Sequence, residues 1–175
     1  QKGFAQTTID DLSRASGYSR RTIYAYYQGK GDILLSCAAA GLNALKADIE
    51  AALGSGGDFA ARYFAVCGAM RSYHKNYPFS VGKISTAEAS SAAAGEIYAL
   101  GEEINARLAG FIQEGQAVGA VRQDVRPEPA VYALWAGIHG LIELAAARGA
   151  HIERQFGMDA DAFLEYGFGQ LINGI

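Results

Sequence analysis

Apolar residues recur at steps of three and four along almost the whole chain, and no stretch alternates apolar with polar residues between turn dipeptides as strands do. The pattern predicts an all-α protein. From Gly31 to about Leu53 the positions Leu34, Cys37, Ala38, Gly41, Leu42, Leu45, Ile49 and Leu53 make one long stripe, ended by Gly54-Ser55-Gly56-Gly57. Asp58 is placed to cap the next helix, whose stripe is Phe59, Tyr63, Val66, Cys67, Met70, His74 and Tyr77, and Pro78 forbids the helical conformation at Tyr77. A short segment without clear pattern follows from Phe79. Ile97, Leu100, Ile104, Leu108, Phe111, Ile112 and Gly115 then mark a long helix that starts between Ser85 and Gly95 and closes at Gly119. Pro127 and Pro129 flank an expected loop before a helix bearing Val131, Leu134, Trp135, Ile138, Leu141, Ile142 and Ala145, which is expected to end near Gly149. The last helix starts at about Asp159 and shows Leu164, Gly167, Phe168, Leu171 and Ile172 on one face.

Ahead of these long helices, residues 8–27 have the layout of a helix-turn-helix. Thr8 caps a short helix with Ile9, Leu12 and Ala15 on its inner face, Gly17 supplies the turn, and Ser19 caps a second helix. Ile23 and Tyr27 form the buried side of that second helix, leaving Arg20, Arg21, Thr22 and Tyr26 to face outwards. An arginine pairs bidentately with O6 and N7 of guanine, and a threonine methyl meets the thymine methyl, so this face suits the major groove of DNA.

Composition is compatible with that reading once charge is divided along the chain. Of 175 residues, 50% are apolar and 19% charged, with a mean hydropathy of +0.04, which excludes a disordered chain and allows one sizeable core. The net charge of −3 and a pI near 5.6 speak against nucleic acid on average. Residues 1–31, however, carry Lys2, Arg14, Arg20, Arg21 and Lys30 against Asp10 and Asp11, a net of +3, so the rest of the chain is at −6. A small basic head on a larger acidic body suits a protein that touches DNA with one end. No continuous apolar run approaches the roughly 18 residues that cross a bilayer, and Gln1 to Asp11 lacks the features of a secretory signal. The expectation is a cytoplasmic protein without a membrane partner. Cys37 and Cys67, both set in apolar helical patterns with no Cys or His at ligand spacing, are expected to be buried thiols.

The stretch from Phe4 to Leu34 resembles the DNA-binding domain of the tetracycline-repressor (TetR/AcrR) family of bacterial transcriptional regulators. The resemblance rests on Gly3-Phe4, Thr7-Thr8, Ile9 and Leu12, Ala15-Ser16-Gly17-Tyr18-Ser19, Thr22-Ile23-Tyr24-Ala25-Tyr26-Tyr27, and Lys30 before Ile33-Leu34. Tyr26 stands where the family usually has histidine, Tyr27 where it has phenylalanine, and Gly31 where it has a helix former. The resemblance implies that Arg20, Arg21 and Thr22 reach base edges, that Thr8, Tyr24, Tyr26 and Lys30 hold phosphates, and that the capping residue Ser19 lies in the same interface. It also implies a DNA-binding domain at 1–34 and an antiparallel helical ligand-binding and dimerisation domain at 35–175. The family begins with one further helix, so this chain is expected to open at the last turn of that helix.

In the body the likeness is sharper at one place, where Leu134-Trp135-Ala136-Gly137-Ile138-His139-Gly140-Leu141 resembles the Trp…His-Gly motif of one subgroup of the family. The resemblance implies a homodimer in which the last two long helices pair with their symmetry mates, and the small residues Ala133, Gly137 and Gly140 suit that seam. Gly101 and Gly110 read equally well as flexible points. The aromatic-rich set Tyr63, Cys67, Met70, His74, Tyr77, Phe79, Tyr98, Phe111 and Trp135 is the expected lining of an apolar effector pocket, with plain core as the alternative. His139 and Glu143 stand four apart, but two ligands do not make a metal site, so a hydrogen-bonded structural pair at or near the dimer seam is expected and no metal or cofactor. No catalytic set is identifiable. The expected function is that of a ligand-responsive regulator, a repressor that binds a near-palindromic double-stranded DNA operator as a homodimer and is released by a small apolar effector. The alternative is a small-molecule-binding helical enzyme or carrier with a vestigial helix-turn-helix, against which the retained basic face of Arg20, Arg21 and Lys30 speaks.

Overall fold

The computed structural model describes residues 3–77 and 92–175, and within them the chain is helical apart from short turns. After a 3₁₀ turn at Phe4–Gln6 come α1 (Ile9–Ser16), α2 (Arg20–Tyr26), α3 (Lys30–Leu53), α4 (Phe59–Asn76), α5 (Ala92–Ala117), α6 (Pro127–Phe156) and α7 (Ala160–Ile172). The all-α architecture is a pair of short N-terminal helices followed by a helical bundle.

Side chains placed to satisfy free backbone groups start most of these helices. The Thr8 hydroxyl accepts from the Asp11 N–H at 3.2 Å while the Asp11 carboxylate accepts from the Thr8 N–H at 3.1 Å, which satisfies two N-terminal donors of α1 reciprocally. Ser19 caps α2 through the Thr22 N–H, Asp58 caps α4 through Ala61, and Asp159 caps α7 through Ala162. Gly17 ends α1 with φ of 77°, a left-handed conformation that side-chain-bearing residues rarely adopt.

The stripe of α3 becomes the spine of the bundle. Leu35, Leu42, Leu45, Ile49 and Leu53 are buried against α4 and α5, and Leu45, Ile49, Ile104 and Cys67 are the most deeply buried side chains. Burying each such leucine or isoleucine contributes about 1.5–3 kcal/mol. Helices α6 and α7 pack on each other, α6 also on α5, and the Tyr63 hydroxyl on α4 donates to the Phe168 carbonyl on α7 at 3.2 Å. Arg71 pairs with Asp161 and Lys46 with Glu103, tying α4 to α7 and α3 to α5 at the surface.

The structure differs from the sequence expectations at several places. Pro127 and Pro129 are not loop residues: both lie in the first turn of α6, where a missing N–H costs no helical bond. Helix α6 does not end near Gly149 but breaks locally at Arg148 (φ −131°, ψ 17°) and resumes to Phe156. Cys37 is exposed, because its position on α3 faces away from the bundle, whereas Cys67 is fully buried. Ala15 is exposed as well, so only Ile9 and Leu12 of the expected inner face of α1 are partly covered. Although no continuous apolar run is long enough, α6 as a whole is long and apolar enough to cross a membrane, and 22% of its most apolar window is buried in the bundle. Gly137 does not lie open at a seam. A Cβ there would meet both Leu171 methyls at 2.8 Å, and one at Gly167 would meet both Leu141 methyls at 2.8 Å, so the two glycines let α6 and α7 of one chain approach. Gly140 has nothing within 4 Å.

Gly137→Leu and Gly167→Leu are therefore expected to lower folding stability by about 1–3 kcal/mol through overpacking within the chain, more than Gly140→Leu does. Urea denaturation of the three variants checks this order, and equal midpoints for Gly137→Leu and Gly140→Leu would contradict it.

Candidate functional site

Two regions gather the residues singled out by the sequence. The first is the outer face of α2 with the ends of its neighbours. Arg20 and Arg21 are exposed, Tyr24 and Tyr26 are 52% and 79% exposed, and the partly buried Thr22 shares a 2.8 Å hydrogen bond with Ser19. Ile23 is buried and Tyr27 half-buried on the opposite side, so the polar residues of α2 are turned outward as a set. The turn ahead of α2 is held by the Ser13 hydroxyl, which donates to the Tyr18 carbonyl at 2.6 Å, and it leaves the Tyr18 ring 63% exposed beside this face. Tyr18 was not among the expected residues, since nothing in its spacing separates a turn aromatic from a core one.

Two of the basic residues expected to meet DNA, Arg20 and Lys30, have partners within the chain. Arg20 Nε lies 3.1 Å from Asp10 Oδ1, an exposed pair of the kind that contributes little to stability. Lys30 Nζ donates to the Phe4 carbonyl at 3.1 Å and the Ala5 carbonyl at 2.9 Å, with the ammonium 4.8 Å from the centre of the Phe4 ring. Lys30 thus fastens the N-terminal turn to the start of α3, where the resemblance implies a phosphate contact.

The second region is the aromatic interior of the body. Of the expected pocket residues, Tyr63, Met70, Phe111 and Trp135 line one cavity, together with Phe59, Val66, Leu108, Ile112, Val131, Leu134, Ile138 and Ile175. Phe59 and Phe111 stack in its wall with ring centroids 4.4 Å apart. The lining is apolar, and the Trp135 indole N–H leaves it to donate to Asn105 Oδ1 at 3.0 Å. Asn105 in turn donates to the Tyr132 hydroxyl at 3.2 Å. Neither polar partner carries a sequence signal, because each lies on a different helix from the one it serves. The cavity has a volume of about 30 Å³, room for one water, whereas pockets for organic ligands run to roughly 300 Å³ and more.

The other expected lining residues lie elsewhere. Cys67 is fully buried and does not line the cavity, and burial pushes its thiol up to about 12. Burial likewise pushes the Tyr63 and Tyr73 hydroxyls up. Tyr77 caps the end of α4 and stacks on Tyr73 at 5.5 Å, Tyr98 is 72% exposed on α5, and Phe79 lies outside the described residues. His74 sits one turn beyond Met70 against His139, with ring centroids 4.3 Å apart and its Nε2 3.6 Å from Glu143 Oε1.

Comparison with known proteins bears on the first region by sequence and on the whole chain by shape. Residues 1–37 match the family model described as bacterial regulatory proteins, tetR family. Among curated proteins no match is found. A TetR family transcriptional regulator from Thermus thermophilus, PfmR, superposes with a TM-score of 0.72 at 22% identity, covering 99% of this chain and 92% of that one. The fatty acid degradation regulator FadR from Bacillus halodurans superposes with a TM-score of 0.73 at 15% identity, over 99% and 91% of the two chains. FadR from Bacillus subtilis, solved in complex with stearoyl-CoA, gives 0.70 at 18% identity over the same shares. The N-terminal helix-turn-helix and the helical bundle behind it therefore share the fold of the TetR-family regulators.

The two cysteines are expected to behave oppositely. A thiol reagent such as Ellman's should titrate Cys37 in the folded protein and reach Cys67 only after denaturation, because the thiolate is the reacting species and Cys67 is both buried and held protonated. Rapid labelling of two thiols under native conditions would contradict the packing of α4.

Proposed function

We propose that the chain is a ligand-responsive, DNA-binding transcriptional regulator, a repressor acting as a homodimer on a near-palindromic operator. The observation that carries this is the outward set Arg20, Arg21, Thr22, Tyr24 and Tyr26 on a capped helix behind the Gly17 turn, within the segment that matches the tetR-family model. In this role α2 enters the major groove, Arg21 and Arg20 read base edges, and Thr8, Ser19 and the tyrosines meet the backbone. Arg20 exchanges its Asp10 partner for DNA, while Lys30 keeps the N-terminal turn in place beside the phosphates. Residues 1–34 act as the DNA-binding head and 35–175 as the effector and dimerisation body, with the Trp135…His139-Gly140 segment as a subgroup mark.

The dimer reading is supported by α6. Its inner side is filled by Val131, Ile138, Ile142, Ala145 and Ile152, yet much of an apolar, membrane-length helix remains uncovered, including Ala133, Gly140 and Leu144. A second copy paired through α6 and α7 covers this face and sets two α2 helices at a fixed spacing.

The effector reading is supported by the apolar cavity between α4, α5 and α6, and by the fatty-acid regulators of the same fold, one of them solved with an acyl-CoA. At about 30 Å³ the cavity is too small for an organic ligand, so an effector binds an enlarged arrangement and thereby draws population toward it. Helix α3, continuous from Lys30 at the head to Leu53 in the body, transmits the change. A coupling of about 1–3 kcal/mol corresponds to roughly a 5- to 150-fold change in operator affinity.

Selection from random double-stranded DNA at low salt is expected to return a near-palindromic site whose binding weakens steeply with added salt. Arg21→Ala should relax base preference at one position of each half-site, by about 1–3 kcal/mol of discrimination. Gly140→Leu should weaken the dimer in sedimentation while the monomer stays folded. Recovery of no specific site by the full-length protein would sink the proposal.

A further inference from the structure

Besides the α2 face and the cavity, one cluster of side chains able to ligate a metal stands out among the described residues. Two of the chain's three histidines, His74 on α4 and His139 on α6, meet Glu143, which lies one turn beyond His139 on α6. One donor atom from each of the three lies within 4.8 Å of the others. The His74 Nε2 to Glu143 Oε1 distance is 3.6 Å, and the imidazoles meet edge to face at 73° with centroids 4.3 Å apart. The His74 Nε2 atom itself is buried, His139 is partly buried and the Glu143 carboxylate is exposed, so the cluster opens to solvent on the Glu143 side.

We propose that His74, His139 and Glu143 form a binding site for a divalent transition metal of the zinc class. Two imidazole nitrogens and one carboxylate oxygen are the donor set of three-ligand zinc sites that leave a fourth position to water or an exogenous group. Tetrahedral coordination at zinc bond lengths sets donor atoms about 3.3 Å apart, so the cluster needs only small side-chain rotations to close on an ion. Zinc is favoured over magnesium or calcium because imidazole nitrogens supply two of the donors. The i, i+4 pair fixes two ligands on one face of α6, and only the packing of α4 brings the third.

The site has a structural consequence. Met70 precedes His74 by one turn, and Ile138 adjoins His139, and both Met70 and Ile138 line the aromatic cavity. An ion bridging α4 and α6 clasps the two helices beside that cavity and stabilises the fold by mass action, since it binds the folded arrangement and not the unfolded chain.

Zinc chloride titrated calorimetrically into the full chain tests the proposal. One zinc ion per chain is expected, with at least about tenfold weaker binding in His139→Ala and in Glu143→Gln. His151→Ala removes an exposed histidine away from the cluster and should bind as the wild type does. Zinc should raise the melting temperature of the wild type and of His151→Ala but not of the double variant His139→Ala/Glu143→Gln. Circular dichroism of each variant without metal verifies its fold, and because His139 and Glu143 are not deeply buried, a folded control does not depend on replacing His74. Absence of zinc binding by the wild type at concentrations on the order of 100 µM, or undiminished binding in the cluster variants, overturns the proposal.

Discussion

The apolar stripe of α3 is the constraint on which the rest of the molecule depends. Leu34 and Leu35 begin it at the edge of the N-terminal head, and Leu45, Ile49 and Leu53 end it deep in the bundle, so a single rigid helix serves both regions. Helices α4 and α5 pack on it from two sides, and α6 and α7 are then laid against them. Lys30 makes the connection at the other end, since its ammonium holds the carbonyls of Phe4 and Ala5 and so ties the N-terminal turn to the first turn of α3.

Directional contacts between helices surround the aromatic interior. The Tyr63 hydroxyl on the Phe168 carbonyl joins α4 to α7, the Trp135 indole on Asn105 joins α6 to α5, and Arg62 spans from the Phe111 ring to Glu114. The Tyr63 bond is buried, so losing it leaves a costly unsatisfied group, whereas the Trp135 and Arg62 contacts lie nearer the surface.

Helix α6 reconciles two demands on one sequence. Its inner side meets α4, α5 and α7, with Gly137 and Gly167 relieving the crowding where Leu171 and Leu141 cross. The helical cost of such glycines, about 1 kcal/mol each, is offset by the close contact they permit. Its outer side keeps small and apolar residues, Ala133, Gly140 and Leu144 among them, that are exposed among the described residues. His139 and Glu143 lie on the flank that meets His74, so the same helix contributes to the body, to the uncovered face and to the His-His-Glu cluster.

Local chemistry was enough to determine the helical class, the capped starts of α1, α2, α4 and α7, and the helix-turn-helix. Thr8, Ser19, Asp58 and Asp159 cap helices through bonds three residues long, Gly17 needs only its own backbone, and the stripes of α3 and α5 follow from a 3.6-residue period. Tertiary structure decided what depends on which helix lies opposite. Cys37 and Cys67 have similar apolar surroundings in sequence, yet one faces solvent and the other has α4's neighbours around it. Gly137 and Gly140 are three residues apart and equivalent by type, but only Gly137 faces Leu171. Tyr98 and Trp135 are both aromatics in amphipathic helices, and only the packing of α6 on α5 puts Trp135 at the cavity and leaves Tyr98 outside. His74 stands 65 positions before His139, with nothing between them in sequence to signal the meeting, and it joins that pair only because α4 lies against α6.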